Sequence, residues 1–330
     1  MKVVFYSSKA YDIDFFKKSP FGEQHQLNFL EVQLNTQTAV LAQGHDTVCV
    51  FVNDIVNAEV IQILADQGVK LIALRCAGFN NVDLDMAQSL GLKVVRVPAY
   101  SPYSVAEHTL ALILTLNRKT HRAFNRVREG NFSLHGLMGF DLNGKTVGLI
   151  GLGKIGLVTA KILTGFGCRV LGYDINTSEE VEQLGIEFST LDDIYSEADI
   201  ISLHCPLTPQ TYHLINKDVI NKLKKGAMLI NTSRGALVDT KAVIEALKSG
   251  QIGHLGLDVY EEEEHLFFED LSETVIQDDV FMRLLSFNNV LITGHQAFLT
   301  SNALSNIADT SLQNISAFEE GNELVNEVKI

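Results

Sequence analysis

The 330-residue chain has no tryptophan, only five prolines and only four cysteines. Cys49, Cys76, Cys168 and Cys205 show no CxxC spacing. Disulfide frameworks belong to short secreted chains, so free thiols in a reducing cytoplasm are expected. No apolar run approaches the roughly 20 residues that span a bilayer, so no membrane segment is predicted. The start, Met1-Lys2-Val3-Val4-Phe5-Tyr6, lacks the basic-then-apolar pattern and small-residue cleavage site of a signal peptide, which again predicts a cytoplasmic protein. Positive charge is scarce too: Lys and Arg number 26 against 40 Asp and Glu, a formal net charge of −14, with no basic tail. Nucleic acid and anionic membrane are bound by neutralising phosphate or headgroup charge, so neither is an expected partner. No metal site is expected.

The remaining composition, 46% apolar and 20% charged, is that of an ordinary globular protein and excludes disorder and collagen-like repeats. At roughly 100–200 residues per domain the length suggests two domains. Short β-branched runs alternate with longer amphipathic stretches throughout, the pattern of an α/β fold. Strands are predicted at 3–6, 48–52, 71–75 and 93–97. A second series is predicted at 146–149, 169–173, 199–203, 227–231, 255–259 and 290–293. Ser101-Pro102 reads as a helix cap followed by proline at the first helical position, opening one unbroken helix through about Arg128. Near the end, Leu304, Ile307, Ala308, Leu312, Ile315 and Phe318 recur at helical spacing. That helix is expected to return to the first domain. The expected division is 1–100 with 298–330, and 101–297.

Gly151-Leu152-Gly153-Lys154-Ile155-Gly156 is a GxGxxG sequence with a strand before it and a helical stretch after it. A second strand then ends at Asp174, close to the roughly 20-residue spacing at which an acid meets the adenosine ribose of a dinucleotide. The glycines serve a tight turn, close approach of backbone to pyrophosphate, and close helix–strand packing, with the pyrophosphate on the helix N-terminus. A carboxylate at 174 accepts from both ribose hydroxyls and repels a 2′-phosphate. Ile175-Asn176-Thr177 supply no arginine to offset that repulsion, so NAD is predicted over NADP.

In open α/β sheets ligands bind beyond the carboxyl ends of strands. In the second series those ends are Asp174, His204-Cys205-Pro206, Thr232-Ser233-Arg234, Asp258 and His295. A nicotinamide enzyme acting on a keto acid needs a fixed cation for the carboxylate, best an arginine fork, and a general acid for the carbonyl oxygen, most often histidine. Arg234 fits the first role, although an interface ion pair is its alternative. His295 or His204 fits the second, with His204 equally readable as a backbone-satisfied strand end. His108 reads as structural. The four glutamates 261–264 read as a solvated loop, and spacing does not say which of them, if any, turns inward.

Four motifs carry a resemblance over essentially the whole length: Gly151-Leu152-Gly153-Lys154-Ile155-Gly156, Asn231-Thr232-Ser233-Arg234-Gly235, Gly256-Leu257-Asp258-Val259-Tyr260-Glu261 and Thr293-Gly294-His295-Gln296-Ala297-Phe298. The chain resembles the NAD-dependent D-2-hydroxyacid dehydrogenases, and within them most the fermentative D-lactate dehydrogenases. The resemblance implies two Rossmann-like domains with parallel sheets, an active-site cleft between them, and homo-oligomers, dimeric or tetrameric. It implies reduction of pyruvate to D-lactate with NADH, or a broader 2-ketoacid specificity. An NAD-sensing interaction protein is the alternative from another class. The implied catalytic residues are Arg234, Glu263 and His295. Lys154 and Ile155 would meet the pyrophosphate through backbone, while Cys205, Pro206, Thr211, Thr232, Ser233 and Asp258 would line the nicotinamide and its ribose. Backbone N–H groups in Cys76-Ala77-Gly78 would hold the substrate carboxylate, with Tyr100 nearby. Tyr100 and Phe298 are expected to flank the substrate methyl group, one from each side. Two features depart from many relatives: Gly294 stands where proline precedes the histidine, and an insertion runs from Glu263-Glu264-His265 to Asp279, as in the D-lactate subgroup. With Ile330 as the last residue, no regulatory domain is expected.

Overall fold

The structure, a computed structural model, describes residues 1–176, 179–263 and 266–329. Two compact units emerge: Met1–Ser101 together with the chain from Phe298 onward, and Pro102–Ala297.

The first unit is built on five parallel strands, β1 (Lys2–Phe5), β2 (Gln26–Phe29), β3 (Thr47–Val50), β4 (Leu71–Leu74) and β5 (Lys93–Val95), in the order β2-β1-β3-β4-β5. Three of these, β1, β3 and β4, are rich in Val, Leu and Ile with every residue but Lys2 buried, as befits strands covered on both faces. β2, Gln-Leu-Asn-Phe, lies at a sheet edge with Gln26 and Asn28 exposed, and its polar–apolar alternation is only four residues long. The long helix Ser301–Glu319 packs against Ala10–Lys18 and β4, burying Leu304, Ile307, Ala308, Leu312 and Ile315. Its start is set by Thr300, whose hydroxyl accepts from the Ala303 amide.

The second unit holds seven parallel strands: β6 (Thr146–Ile150), β7 (Arg169–Tyr173), β8 (Glu187–Phe188), β9 (Ile200–Leu203), β10 (Ala227–Asn231), β11 (Ile252–Leu257) and β12 (Val290–Ile292). Their order, β12-β11-β10-β9-β6-β7-β8, reverses direction between β6 and β9, the switch point at which doubly wound sheets bind dinucleotides. Successive residues of each strand feed opposite layers. Val147 and Leu149 join one apolar cluster and Ile150 another; Met228 and Ile230 join the first and Ala227 and Leu229 the second. The sheet is therefore buried on both faces.

The helix expected to run unbroken to Arg128 is divided, into Pro102–Arg118 and Thr120–Arg128. Lys119 between them is left-handed, φ 51°. Tertiary bonds cause the break. The Asn117 amide side chain exchanges two hydrogen bonds with the Phe140 backbone, and Lys119 Nζ donates to the carbonyls of Gly136 and Met138. Segment 136–140 is thus docked on the end of the first helix, which apolar periodicity does not report. Among the described residues, no helix is long and apolar enough to cross a membrane.

Candidate active site

Gly151 leaves β6 at φ 103°, a conformation that L side chains rarely adopt. A Cβ at 151 would stand 2.5 Å from the Cys205 backbone nitrogen, and one at 156 would stand 2.0 Å from the Gly151 carbonyl oxygen. These glycines let the β6 turn close against the end of β9 and against its own helix. Gly153 has open space where its Cβ would be, and it caps the helix Lys154–Gly165. The first-turn amides, Lys154 and Ile155 among them, have no partner inside the helix and form a place for an anion. At the end of β7, Asp174 accepts from the Leu152 amide (2.7 Å) and the Asn176 amide (3.1 Å). An ionised carboxylate has about four acceptor positions, so two remain for ribose hydroxyls. Thr177 lies outside the described residues. The cradle, the helix start and the acid together fit NAD.

β9 to β12 end level with one another, since Leu203, Asn231, Leu257 and Ile292 are register partners in turn. Beyond β9, the Ser233 hydroxyl donates to the Cys205 carbonyl (2.7 Å), and the Thr211 hydroxyl donates to the Pro206 carbonyl (2.7 Å). Burial pushes the Cys205 thiol up to about 11, so it stays protonated and inert at neutral pH. Burial pushes the His204 imidazole down to about 4; its Nε2 lies 3.0 Å from Ser202 Oγ. A ring held neutral at physiological pH is a poorer proton donor than an imidazolium, so His204 is the weaker of the two candidates for the general acid.

Beyond β10, the buried Asn231 shapes the turn: its amide side chain donates to the Arg234 carbonyl (2.8 Å) and accepts from the Ser233 amide (3.0 Å). Thr232 Oγ1 lies 2.9 Å from Thr109 Oγ1. The Arg234 guanidinium donates to the Ser233 carbonyl and forms no ion pair among the described residues, so its fork is free for an anion.

Beyond β11 and β12, Glu263 Oε1 lies 2.8 Å from His295 Nδ1, and its Oε2 accepts from the Tyr260 amide (2.9 Å). His295 Nε2 has no hydrogen-bond partner among the described residues. The ring of Phe268 stands 5.6 Å from the imidazole, a neighbour that the sequence did not single out. The acidic run is therefore not a uniform solvated loop. Glu261 also turns inward, with Oε1 2.5 Å from His213 Nε2 and Oε2 accepting from the Thr240 hydroxyl (2.9 Å). Glu264 and His265 lie outside the described residues. Asp258 is fully buried, and both its carboxylate oxygens accept hydrogen bonds from the turn 293–297.

In the first unit, the loop after β4 is held from several sides. Arg96 Nη1 donates to the Ala77 carbonyl (2.8 Å), the Val97 amide donates to the Cys76 carbonyl (3.1 Å), and Cys76 Sγ donates to the Gly78 carbonyl (3.3 Å). Tyr100 and Phe298, expected on opposite sides, both belong to this unit and pair edge to face at 6.4 Å.

The profile of the family described as "D-isomer specific 2-hydroxyacid dehydrogenase, NAD binding domain" matches residues 110–297. The chain is 54% identical to the D-lactate dehydrogenase of Escherichia coli (strain K12) over 328 residues, covering 99% of this chain and 100% of that one. It superposes on the apo-structure of D-lactate dehydrogenase from Escherichia coli with a TM-score of 0.91, at 51% identity and complete coverage of both chains. A structure described as the pyruvate reductase of Chlamydomonas reinhardtii gives 0.92 at 49% identity, covering 99% of this chain and 98% of the other. Matched by that profile and, along its whole length, by relatives about half identical to it, the chain belongs to the NAD-dependent D-2-hydroxyacid dehydrogenases.

Proposed function

We propose that the protein reduces pyruvate to D-lactate with NADH. The observation that carries this is the His295–Glu263 pair at 2.8 Å, on the same row of strand ends as an Arg234 free of ion pairs among the described residues. The relatives named D-lactate dehydrogenase and pyruvate reductase support the substrate. When bound, the dihydronicotinamide supplies hydride to the ketone carbon. Arg234 grips the substrate carboxylate with its planar fork. His295, with Nδ1 facing Glu263, presents Nε2 to the carbonyl oxygen and donates the proton there. Glu263, bonded at Nδ1, keeps the ring in one orientation. The same reading assigns the amides of Ala77 and Gly78 to the carboxylate and the rings of Tyr100 and Phe298 to the methyl group. It assigns Gly151, Gly153, Lys154, Ile155, Gly156 and Asp174 to the pyrophosphate and adenosine half of NAD, and Cys205, Pro206, Thr211, Thr232, Ser233 and Asp258 to its nicotinamide half.

We assign the protein to the cytoplasm, in keeping with its four buried free cysteines. We also propose a homo-oligomer. The segment after Arg118 exposes Phe124, Val127, Phe132, Leu134 and Met138, the last three at 73%, 82% and 87%. Arg118, Lys119, Arg122, Arg126 and Arg128 line the same segment in a chain whose net charge is −14, so a second copy offers it the opposite charge.

The test is NADH oxidation with pyruvate, followed by chiral analysis of the lactate and by comparison with a branched 2-ketoacid. D-lactate as product with pyruvate preferred is the expected result. No oxidation with pyruvate, or preference for the branched acid, overturns the substrate.

A further inference from the structure

His108 has no place in the chemistry above, yet it meets the segment that carries His295. The helix Pro102–Arg118 packs over β10, β11 and β12. Gly256 permits the close approach: a Cβ there would stand 2.8 Å from Ile230 Cδ1 and 3.1 Å from Leu116 Cδ1. Thr109, Leu112, Ile113 and Leu116 are buried against the sheet. His108, at the edge of that buried face, brings Nε2 to 3.0 Å from Thr293 Oγ1 and 3.3 Å from Asp258 Oδ1.

Asp258 grips the turn after β12 at every step. The Thr293 hydroxyl donates to its Oδ1 (2.5 Å), the Gln296 amide donates to Oδ1 (2.9 Å) and the Ala297 amide donates to Oδ2 (2.8 Å). The His295 amide donates to the Asp258 carbonyl (2.7 Å). Three consecutive amides thus converge on one residue. His295, the first of them, is left-handed, φ 52°, with no glycine at that position to make the conformation cheap. A backbone in that region persists where its surroundings over-determine it. The surroundings here are a carboxylate with 0% exposure, and a buried carboxylate stays ionised only when bonded and paired. Burial alone would push the Asp258 carboxyl up; bonds from His108, Thr293 and the Ala297 amide reverse that and hold it below its ordinary value.

We propose that His108, acting through Asp258 and Thr293, is a positioning residue that holds the left-handed turn carrying His295. It touches neither substrate nor cofactor in this role. Glu263 sets the imidazole from the Nδ1 side, and the His108–Thr293–Asp258 cluster sets the backbone from which it projects. The inference rests on the reading of His295 as the proton donor.

The experiment compares the full-length wild type with His108→Leu, His108→Gln and Thr293→Val. It measures kcat and KM for pyruvate, NADH affinity by fluorescence titration, and thermal stability. A misplacement of the acid by a fraction of an ångström to 1 Å costs about 10-fold to 100-fold in rate. His108→Leu is therefore expected to lose that much kcat, with KM for pyruvate and Kd for NADH within about threefold. His108→Gln, which keeps a donor, recovers most of the loss. Thr293→Val, which keeps the shape and loses the hydroxyl, repeats the kcat loss and serves if His108→Leu does not fold. Wild-type kcat in the leucine or valine variant overturns the proposal. So does a loss seen mainly in NADH affinity, or one that follows thermal stability and is not recovered by glutamine. His295→Gln is the control for the underlying reading. If it remains active, the proton-donor assignment itself fails; if it is inactive while the His108 and Thr293 variants are normal, only the positioning role fails.

Discussion

Arg169 spends its guanidinium on Glu187 and Glu197 at the surface, whereas among the described residues the Arg234 guanidinium bonds only the Ser233 carbonyl, at the strand ends where Glu263 and His295 also stand. Arg234→Lys keeps the charge but loses the fork. Removing one partner of a desolvated, hydrogen-bonded charge pair costs about 2–5 kcal/mol, so kcat/KM for pyruvate should fall roughly 30-fold or more. Retention within about threefold would take Arg234 away from the substrate. His204 makes the opposite case, a histidine kept neutral. Unfolded, its ring takes a proton near pH 6.5; folded, only near about 4. Between those values the unfolded chain binds the extra proton. The stability that the neutral ring confers is therefore whole above about pH 6.5 and is lost as pH falls towards 4. Urea midpoints of wild type and His204→Gln across that window should show a shallower acid decline in the variant; parallel curves would contradict it. The roles of His204 and His295, left open by their similar strand-end positions, separate on burial and partners that only folding supplies.

At the scale of elements, the βαβ unit around Gly151 was readable from spacing, because tight turn, helix start and acid all fall within one local stretch. The collision a side chain would meet at Gly156 is with backbone, the Gly151 carbonyl at 2.0 Å, which has no rotamer to give way. Gly156→Ala should therefore weaken NADH binding and lower thermal stability together, whereas Gly153→Ala, facing open space, should disturb the fold less. Thermal melts and NADH titrations of both variants check the contrast; equal melting temperatures would mean that the helix stands further from the turn. Elements without a local signature escaped. β2 and β8 are short edge strands with polar residues, and the break at Lys119 depends on Asn117 and Phe140, 23 residues apart. The apolar period of the flanking helices passes through that break unchanged, so the pattern alone joins them.

For the whole molecule, the exposed apolar segment 124–138 carries the prediction about assembly. Replacing Phe132 and Leu134 by Asp adds charge to side chains that make few contacts within the chain, so the fold should survive and self-association weaken. Analytical ultracentrifugation of wild type and double variant checks this; an unchanged sedimentation profile would remove the segment from the interface. Two α/β regions and a dinucleotide cradle were legible in the amino-acid order, where spacing pointed to Asp174 and motif resemblance to Arg234, Glu263 and His295 as the candidates within them. These depend on short-range spacing and on the period of buried strands, both of which are written locally. Folding alone settled which glutamates of the run turn inward, that the rings of Tyr100 and Phe298 meet edge to face, and that Asp258 holds the turn of His295 with His108 beside it. Each of those outcomes brings together groups tens to hundreds of residues apart, and their energies come from burial and from hydrogen bonds that exist only once the sheets and helices are packed.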